Sequence, residues 1–238
     1  MDTAVYVALS KQSGAERQMA VIANNIANAN TSGYKAEAMV FSQYMNKKDP
    51  SKTAYANDVG TVRNDAQGDL QATGNPLDLA IQGDGYFEVN SPQGPRYTRA
   101  GNFTIDGQGY LVDHNGYTVG DAAGQAIQFQ PEDQKIVIYA DGRMEVDGNE
   151  RATVGVFTID DKKSLKKEGD NMYSTTQTAT ANLDPRVAQG MLENSNVSPI
   201  VEMTKMISVQ RDYERSSNFI NQVYDLQGSA IQVLGKAN

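Results

Sequence analysis

The chain has 238 residues, no cysteine and no tryptophan, and a formal net charge of -8 at neutral pH. This length allows one large or two small domains with a true core, and the lack of cysteine excludes disulfide frameworks, thiolate nucleophiles and cysteine-ligated metals. The acidic balance disfavours a nucleic-acid surface, because binding phosphates requires clustered lysine and arginine. No apolar run approaches the roughly 20 residues of a membrane helix, so neither direct membrane insertion nor a cleaved signal peptide is expected.

The N-terminal segment has the pattern of a long helix with a narrow apolar seam. Apolar residues recur at alternating spacings of four and three, Gln12 and Glu16 fill intervening seam positions, and Gly14 is the weak point of the helix. A run of asparagine, serine and glycine then ends the helix, which predicts an axial helix within residues 1–33. The residues expected to shape the helix exit or contact a partner are Val5, Leu9, Met19, Ile22, Asn24, Asn25, Ile26, Asn28 and Gly33.

Residues 34–75 carry mixed signals and are predicted to be a linker or extended segment. The stretch 36–44 fits either a prolonged helix or a strand. The stretch 46–58 is polar and contains Pro50, which indicates a loop.

A central all-β domain is predicted over residues 76–190. Asp-Gly and Asn-Gly pairs recur at 84, 106, 115, 141 and 147 between alternating apolar and polar residues, and such pairs tolerate the backbone of tight hairpin turns. The predicted strands are 77–81, 86–89, 102–105, 110–112, 117–119, 135–138, 144–146 and 153–159.

A second axial helix is predicted within residues 191–238, pairing with the first. Its residues expected to contact a partner are Ile200, Met203, Met206, Ile207, Tyr213, Ile220, Tyr224, Ile231 and Leu234. The fold class is therefore α+β, with the terminal helices in a coiled-coil-like layer and the β-domain inserted between them. Polar residues dilute both seams, which favours burial among many copies and hence a polymer subunit, although the spacing also fits a simple intramolecular hairpin.

Catalytic, cofactor and metal sites are not predicted. His114 is the only histidine and lies at the edge of a predicted hairpin, without the positioned partners of a catalytic triad. The acidic residues Asp84, Asp106, Asp141 and Asp147 lack the spacing of a calcium loop, so a turn role is favoured. No phosphate-binding loop is indicated by the glycine-rich turns, because no strand–loop–helix unit accompanies them.

Several strings resemble those of bacterial flagellar rod and hook proteins. They are Ala23-Asn24-Asn25-Ile26-Ala27-Asn28 with Thr31, Gly33, Tyr34 and Lys35; residues 75–87; residues 97–103; residues 192–197; and residues 202–214. The resemblance covers both ends and much of the middle. Within the family it is greatest to the proximal rod protein, with the distal rod protein as the nearest confusable relative.

This resemblance implies a structural, non-enzymatic axial subunit of the proximal rod. It would assemble helically, with copies of itself and with neighbouring rod proteins, into a hollow drive shaft that transmits torque and carries exported subunits. Its implied location is the periplasm-spanning rod of the basal body, reached through the flagellar type III export apparatus. The alternatives are a distal rod or hook-type protein, or a secreted carbohydrate-binding module with Tyr86, Tyr97, Tyr110 and Tyr117 on a strand platform. An enzyme that cleaves peptidoglycan would need a further acidic centre and additional length.

Overall fold

The structure is a computed structural model that describes residues 2–45 and 54–236. The chain divides into two compact units. The helical unit comprises residues 1–29, 35–65 and 197–238, and the β-rich unit comprises residues 30–34 and 66–196. This division confirms the α+β class, with helices at the two ends and strands in the middle.

Two long helices and one hairpin make up the described part of the helical unit. Helix α1 spans Asp2–Ala27 and helix α2 spans Pro199–Lys236. Helix α2 begins at a proline, the residue whose missing N–H and fixed φ suit the first helical position. Strands β1, Glu37–Met45, and β2, Ala54–Arg63, pair antiparallel, with a register shift between Val40 and Phe41. Residues 36–44 are thus mainly strand, and the predicted loop is wrong for 54–58, which belong to β2; residues 46–53 lie outside the described residues.

The two helices are antiparallel and share a small apolar cluster. Ala15 and Ile22 of α1 and Val209 of α2 are buried at its centre. The residues packed around them are Met19, Ile26, Met206 and Tyr213. Gly14 has a packing role here, because a Cβ at this position would approach Cε1 of Phe41 in β1 to 3.2 Å. The glycine that weakens α1 as a helix therefore leaves room for the hairpin to lie against it.

The strands of the β-rich unit are short and pair antiparallel throughout the described ladders. They are β3 Leu70–Ala72, β4 Leu79–Ile81, β5 Tyr86–Ser91, β6 Gly94–Thr98, β7 Thr104–Ile105, β8 Leu111–Val112, β9 Thr118–Val119, β10 Ile136–Ile138, β11 Arg143–Val146, β12 Asn149–Thr153, β13 Val156–Thr158, β14 Lys166–Gly169, β15 Met172–Ser174, β16 Thr180–Ala181, β17 Val187–Gln189 and β18 Met191–Glu193. A 3-10 turn, Lys162–Ser164, precedes β14.

The largest sheet runs in the order β14-β15-β6-β5-β9-β8-β7, with β13 bridging β5 and β16. Strands β10, β11 and β12 form a separate three-stranded sheet, and the pairs β17-β4 and β18-β3 bring late and early strands together. Each predicted strand overlaps an observed one, whereas β3, β6, the strands from β14 onward and all of β12 except Thr153 were not predicted. The main core lies between these ladders, and its buried aromatic pair is Phe87 and Phe103, with ring centroids 5.2 Å apart.

Three turns of one geometry organise the middle of this unit. In each, an aspartate accepts hydrogen bonds from the backbone N–H groups two and four residues ahead: Asp106 from Gln108 and Tyr110, Asp113 from Asn115 and Tyr117, and Asp121 from Ala123 and Gln125. These bonds satisfy backbone donors that a short turn otherwise leaves unpaired. The turn role expected of Asp106 is confirmed.

Candidate assembly surface

The helical unit carries most of the exposed apolar surface. Of the fifteen large apolar side chains that are exposed in the described part of the chain, twelve belong to the helical unit. These twelve are Tyr6, Leu9, Val40, Phe41, Val62, Ile200, Val201, Met203, Ile207, Phe219, Tyr224 and Leu226. The other three are Ile105, Tyr139 and Leu183. A contiguous exposed apolar patch marks a surface that another molecule covers, so the residues of the helical unit that share one face are the candidates for such a surface.

The seam between the helices differs in phase from the predicted one. Toward α2, helix α1 presents Ala15, Met19, Ile22 and Ile26, so that Leu9 is 53% exposed instead of facing the other helix. On α2, the positions packed against α1 are Met206, Val209 and Tyr213. The two phases share every second seam residue, so the spacing alone does not distinguish them.

The predicted contact residues fall into three groups by exposure. Ile22, Asn25 and Gly33 are buried. Those partly buried are Val5, Met19, Ile26, Asn28, Met206, Tyr213 and Ile220. Those exposed are Leu9, Asn24, Ile200, Met203, Ile207 and Tyr224. The side chains of Ile231 and Leu234 lie outside the described residues.

The exposed group on α2 includes one continuous stripe. Ile200, Met203 and Ile207 are separated by three and four residues, so they lie on one face of the helix, and each is at least half exposed. Ile207 also lines a groove with Thr204, Ser208, Arg211 and Arg215. The groove places an apolar side chain beside two guanidinium groups, a combination that suits a neighbour with an apolar and acidic face.

Asn25 has a different role from its two neighbouring asparagines. Its side chain is 1% exposed, its Nδ2 donates to the backbone oxygen of Glu37, and its Oδ1 accepts from the backbone N–H of the same residue. The same Nδ2 donates to a carboxylate oxygen of Glu202 in the first turn of α2. Asn28, in contrast, makes a local bond to the carbonyl of Asn24. The sequence places all three asparagines near the helix end and indicates no role for Glu202.

A carbohydrate-binding platform is not formed by the four tyrosines considered for it. Tyr86 and Tyr97 are buried, with exposed fractions of 3% and 5%. They belong to a second core cluster, in which Tyr86 packs edge-on against Tyr173 with ring centroids 6.1 Å apart. Aromatic side chains in a core cannot stack against a sugar, so this alternative is wrong for two of its four residues.

The described residues contain no group of three or more His, Asp or Glu side chains arranged to hold a metal ion. His114 is exposed in the turn that Asp113 closes. Among the helices in the described ranges, none is long and apolar enough to cross a membrane.

Three family models match the chain in succession. They are described as "Flagella basal body rod protein", over residues 5–35; "Flagellar hook protein FlgE/F/G D1 domain", over residues 80–146; and "Flagellar basal body rod FlgEFG protein C-terminal", over residues 188–233. The first and last matches cover most of α1 and α2. The middle match covers β5 to β11 and most of β4.

Full-length relatives agree with these matches. The flagellar basal-body rod protein FlgF of Caulobacter vibrioides is 39% identical over 247 residues, covering 100% of both chains. FlgF of Mesorhizobium japonicum is 34% identical over 99% of each chain, and the basal-body rod protein FlgG of Bacillus subtilis is 32% identical over 91% of this chain and 93% of its own. These relatives confirm the prediction of a flagellar structural protein that is not an enzyme. The chain belongs to the FlgF family of structural rod proteins of the flagellar basal body.

Proposed function

We propose that this chain is a subunit of the proximal rod and that its helices assemble with copies of itself and with neighbouring rod proteins. The assembled helices form the inner wall of a hollow drive shaft, which transmits torque and lets exported subunits pass. The observation that carries this proposal is the concentration of twelve of the fifteen exposed large apolar side chains in the helical unit.

The energetics favour assembly over an isolated helix pair. Within one chain, the apolar cluster between α1 and α2 has only three buried members among the described residues. Burial of one large apolar side chain contributes about 1.5–3 kcal/mol, so covering even a few of the exposed ones adds substantially to this small core. Because the same contacts repeat in every subunit of a tube, the free energy gained by burial makes the tube stiff. Torque transmission requires this stiffness.

The helices pair in a coiled-coil-like manner in this proposal. Met206, Tyr213, Ile220 and Gln227 recur every seven residues on α2, and all four are partly buried. The stripe of Ile200, Met203 and Ile207 then contacts an adjacent subunit. Leu9 and Tyr6 of α1 offer a second such contact, and Ile231 and Leu234 are proposed to extend the α2 contact toward its end.

Passage through the flagellar type III export apparatus follows from the same arrangement. Helices with a small mutual core are loosely ordered before they meet their neighbours, and a loosely ordered chain suits a narrow channel. The order is completed on polymerisation.

The test compares two apolar-to-charged substitutions in a strain that lacks the chromosomal gene. Ile207→Asp places a charge on the α2 stripe, where Ile207 is 52% exposed, so the single chain still folds. Leu183→Asp is the matched control, because Leu183 is 97% exposed but lies in the β-rich unit. We expect Ile207→Asp to abolish incorporation into purified basal bodies, since the contact loses an apolar side chain and gains a charged group that is costly to remove from water. The control should assemble normally.

Normal incorporation of the Ile207→Asp variant would contradict the proposed contact. The second candidate is a distal rod subunit, which the identity to FlgG supports. Electron microscopy of basal bodies from the deletion strain distinguishes the two, because loss of a proximal subunit removes the rod from its base outward, whereas loss of a distal subunit leaves a short proximal rod.

A further inference from the structure

Three of the four points at which the chain enters or leaves the β-rich unit lie together. The backbone enters this unit at Asn30, leaves it after Tyr34, re-enters it at Ala66 and leaves it again after Asn196. Asn196 connects the last three of these points, because its backbone N–H donates to the carbonyl of Tyr34 at 3.3 Å and its Nδ2 donates to the carbonyl of Ala66 at 2.8 Å. Segments far apart in sequence thus converge on one residue.

Glu193 makes a second set of bonds to the same segments. Its side chain is fully buried, with Oε2 3.1 Å from Nη1 of Arg99 and Oε1 accepting from the backbone N–H of Gly68 at 3.1 Å. Its backbone carbonyl accepts from the N–H of Gly33 at 2.7 Å. Arg99 is itself only 5% exposed, and its Nη2 donates to the carbonyl of Gly83 at 2.7 Å. The buried Glu193–Arg99 pair is therefore bonded to the segment that contains Gly33 and to the segment that contains Gly68.

The segments meet so closely that side chains are excluded. A Cβ on Gly33 would lie 2.4 Å from the carbonyl carbon of Arg99, and a Cβ on Gly68 would lie 1.9 Å from the carbonyl oxygen of Asn194. Contacts this short cannot be relieved by rotating a side chain, because the neighbouring atoms belong to the backbone. The glycines allow the connections to approach Arg99 and the strand that ends at Glu193.

The segment 30–34 is held from its other side as well. Nδ2 of Asn171 donates to the carbonyl of Ser32 at 2.8 Å, and the ammonium group of Lys167 lies 4.8 Å from the ring centroid of Tyr34, which is 2% exposed. A cation over an aromatic face and a hydrogen bond to the adjacent carbonyl hold this short segment against β14 and the turn that follows it.

We propose that Glu193 and Arg99 form a clamp that makes three of the four connections, those at Tyr34, Ala66 and Asn196, open and close as one unit. Gly68 is bonded to the carboxylate of Glu193 and Gly33 to its backbone carbonyl, so releasing either glycine disturbs the buried ion pair. Leaving the buried charge of Glu193 or Arg99 without its partner is strongly unfavourable. The connections therefore share one opening equilibrium. The mechanical consequence rests on the proposed rod function: the clamp keeps these points of entry and exit in place within the β-rich unit when the rod is under load.

The test measures amide hydrogen exchange in the purified full-length chain. Glu193→Gln keeps the shape and an acceptor for Gly68 but removes the charge opposite Arg99. We expect the amides of Gly33 and Gly68 to exchange about tenfold faster or more, and by the same factor, while those of Phe87 and Val89 in β5 keep their rates. Met144→Ala is the matched control, because Met144 is fully buried in the core of the same unit but away from the connections. It should speed exchange in the core without singling out the two glycines.

Unchanged exchange at Gly33 and Gly68, different factors for the two amides, or the same response in Met144→Ala would each overturn the clamp. Asn196→Ala provides a milder variant in case Glu193→Gln fails to fold, and it should also speed the exchange of both glycines together; unchanged rates would again overturn the clamp. In cells, we expect basal bodies to contain the Glu193→Gln chain while swimming in viscous medium slows. Failure of the rod function would appear separately, as absence of the wild-type chain from basal bodies.

Discussion

Asn25 and Glu202 are 177 residues apart in the sequence and share a hydrogen bond of 3.1 Å between Nδ2 and Oε2. Through this bond the last turns of α1 meet the first turn of α2. Asn25 also pairs with both backbone polar groups of Glu37, at 2.8 and 3.0 Å, so one amide side chain fixes the start of β1 as well. Lys205 lies 2.5 Å from the other oxygen of Glu202, which completes the partners of this buried carboxylate.

Replacing Asn25 should destabilise the helical unit. In Asn25→Ala the backbone groups of Glu37 and one oxygen of Glu202 lose their partner in a buried place, which costs about 2–3 kcal/mol in the free energy of unfolding. Urea unfolding of the purified chain, followed by far-UV circular dichroism, measures this loss. Asn24→Ala is the control: Asn24 is exposed, and its replacement should change the free energy by less than about 0.5 kcal/mol. Equal losses in the two variants would show that the buried amide has no special role.

Substitutions of Gly33 and Gly74 allow the cost of backbone strain to be measured separately from the cost of steric crowding. Both have a positive φ, +69° and +76°, but a Cβ on Gly33 meets backbone atoms of Arg99 and Ala100 whereas a Cβ on Gly74 meets nothing within 4 Å. We expect Gly74→Ala to lower the free energy of unfolding by about 1 kcal/mol, from strain alone. Gly33→Ala should lower it by about 3 kcal/mol or more, because the chain must also move away from Arg99. Thermal unfolding of both variants measures the difference, and a Gly33→Ala loss no greater than that of Gly74→Ala would contradict the packing described here.

Tyr97 makes the stability of the β-rich unit depend on alkaline pH. It lies opposite Glu88 in the β5–β6 ladder, and burial, followed by the charge of Glu88, raises the pKa of Tyr97 to about 12 from its ordinary value of 10.0. Because the pKa of Tyr97 is raised in the folded state, Tyr97 contributes to the free energy of unfolding. This contribution is fully present below pH 10 and is lost as the pH rises toward 12. The loss amounts to about 2–3 kcal/mol at most.

Tyr97→Phe tests this assignment, because it removes the ionising group and keeps the ring. Between pH 10 and 12, the free energy of unfolding of this variant should fall less steeply than that of the wild type. Urea unfolding at a series of pH values provides the comparison. Identical slopes would indicate that another group accounts for the alkaline loss. Burial also raises the pKa of the Glu88 carboxyl, so the Glu88 contribution is fully present only below its ordinary pKa of 4.5 and is lost as the pH rises.

The β-rich unit was predicted where local signals were strong. Alternation and turn pairs located β4, β5, β7 to β11 and β13 because both signals are read within a few residues. Strand β6 was missed because Pro95 interrupts its pattern, although Pro95 pairs opposite Asn90 in the ladder. Strands β17 and β18 were missed because each is three residues long and pairs with a strand more than a hundred residues earlier, β4 and β3.

In the helical unit, the spacing of apolar residues predicts the two helices but not which face of each helix packs against the other. The predicted and observed seams share Met19 and Ile26 on α1 and Met206, Tyr213 and Ile220 on α2. They differ at alternate positions: Leu9 and Met203 belong to the predicted seams, whereas Ala8 and Glu202 are buried in the structure. Glu202 is accommodated in this buried place because Asn25 and Lys205 bond to its carboxylate oxygens.

Amino-acid order alone determined the class of fold, the two terminal helices, the turn-rich middle and the resemblance to flagellar axial proteins, because helical and strand periodicities and turn residues act over short distances. Tertiary structure decided which helix face is inside, which asparagine is buried, and that Gly33, Gly68 and Glu193 meet. Those features depend on contacts between distant segments, and a carboxylate or a glycine acquires its role only from the atoms placed against it.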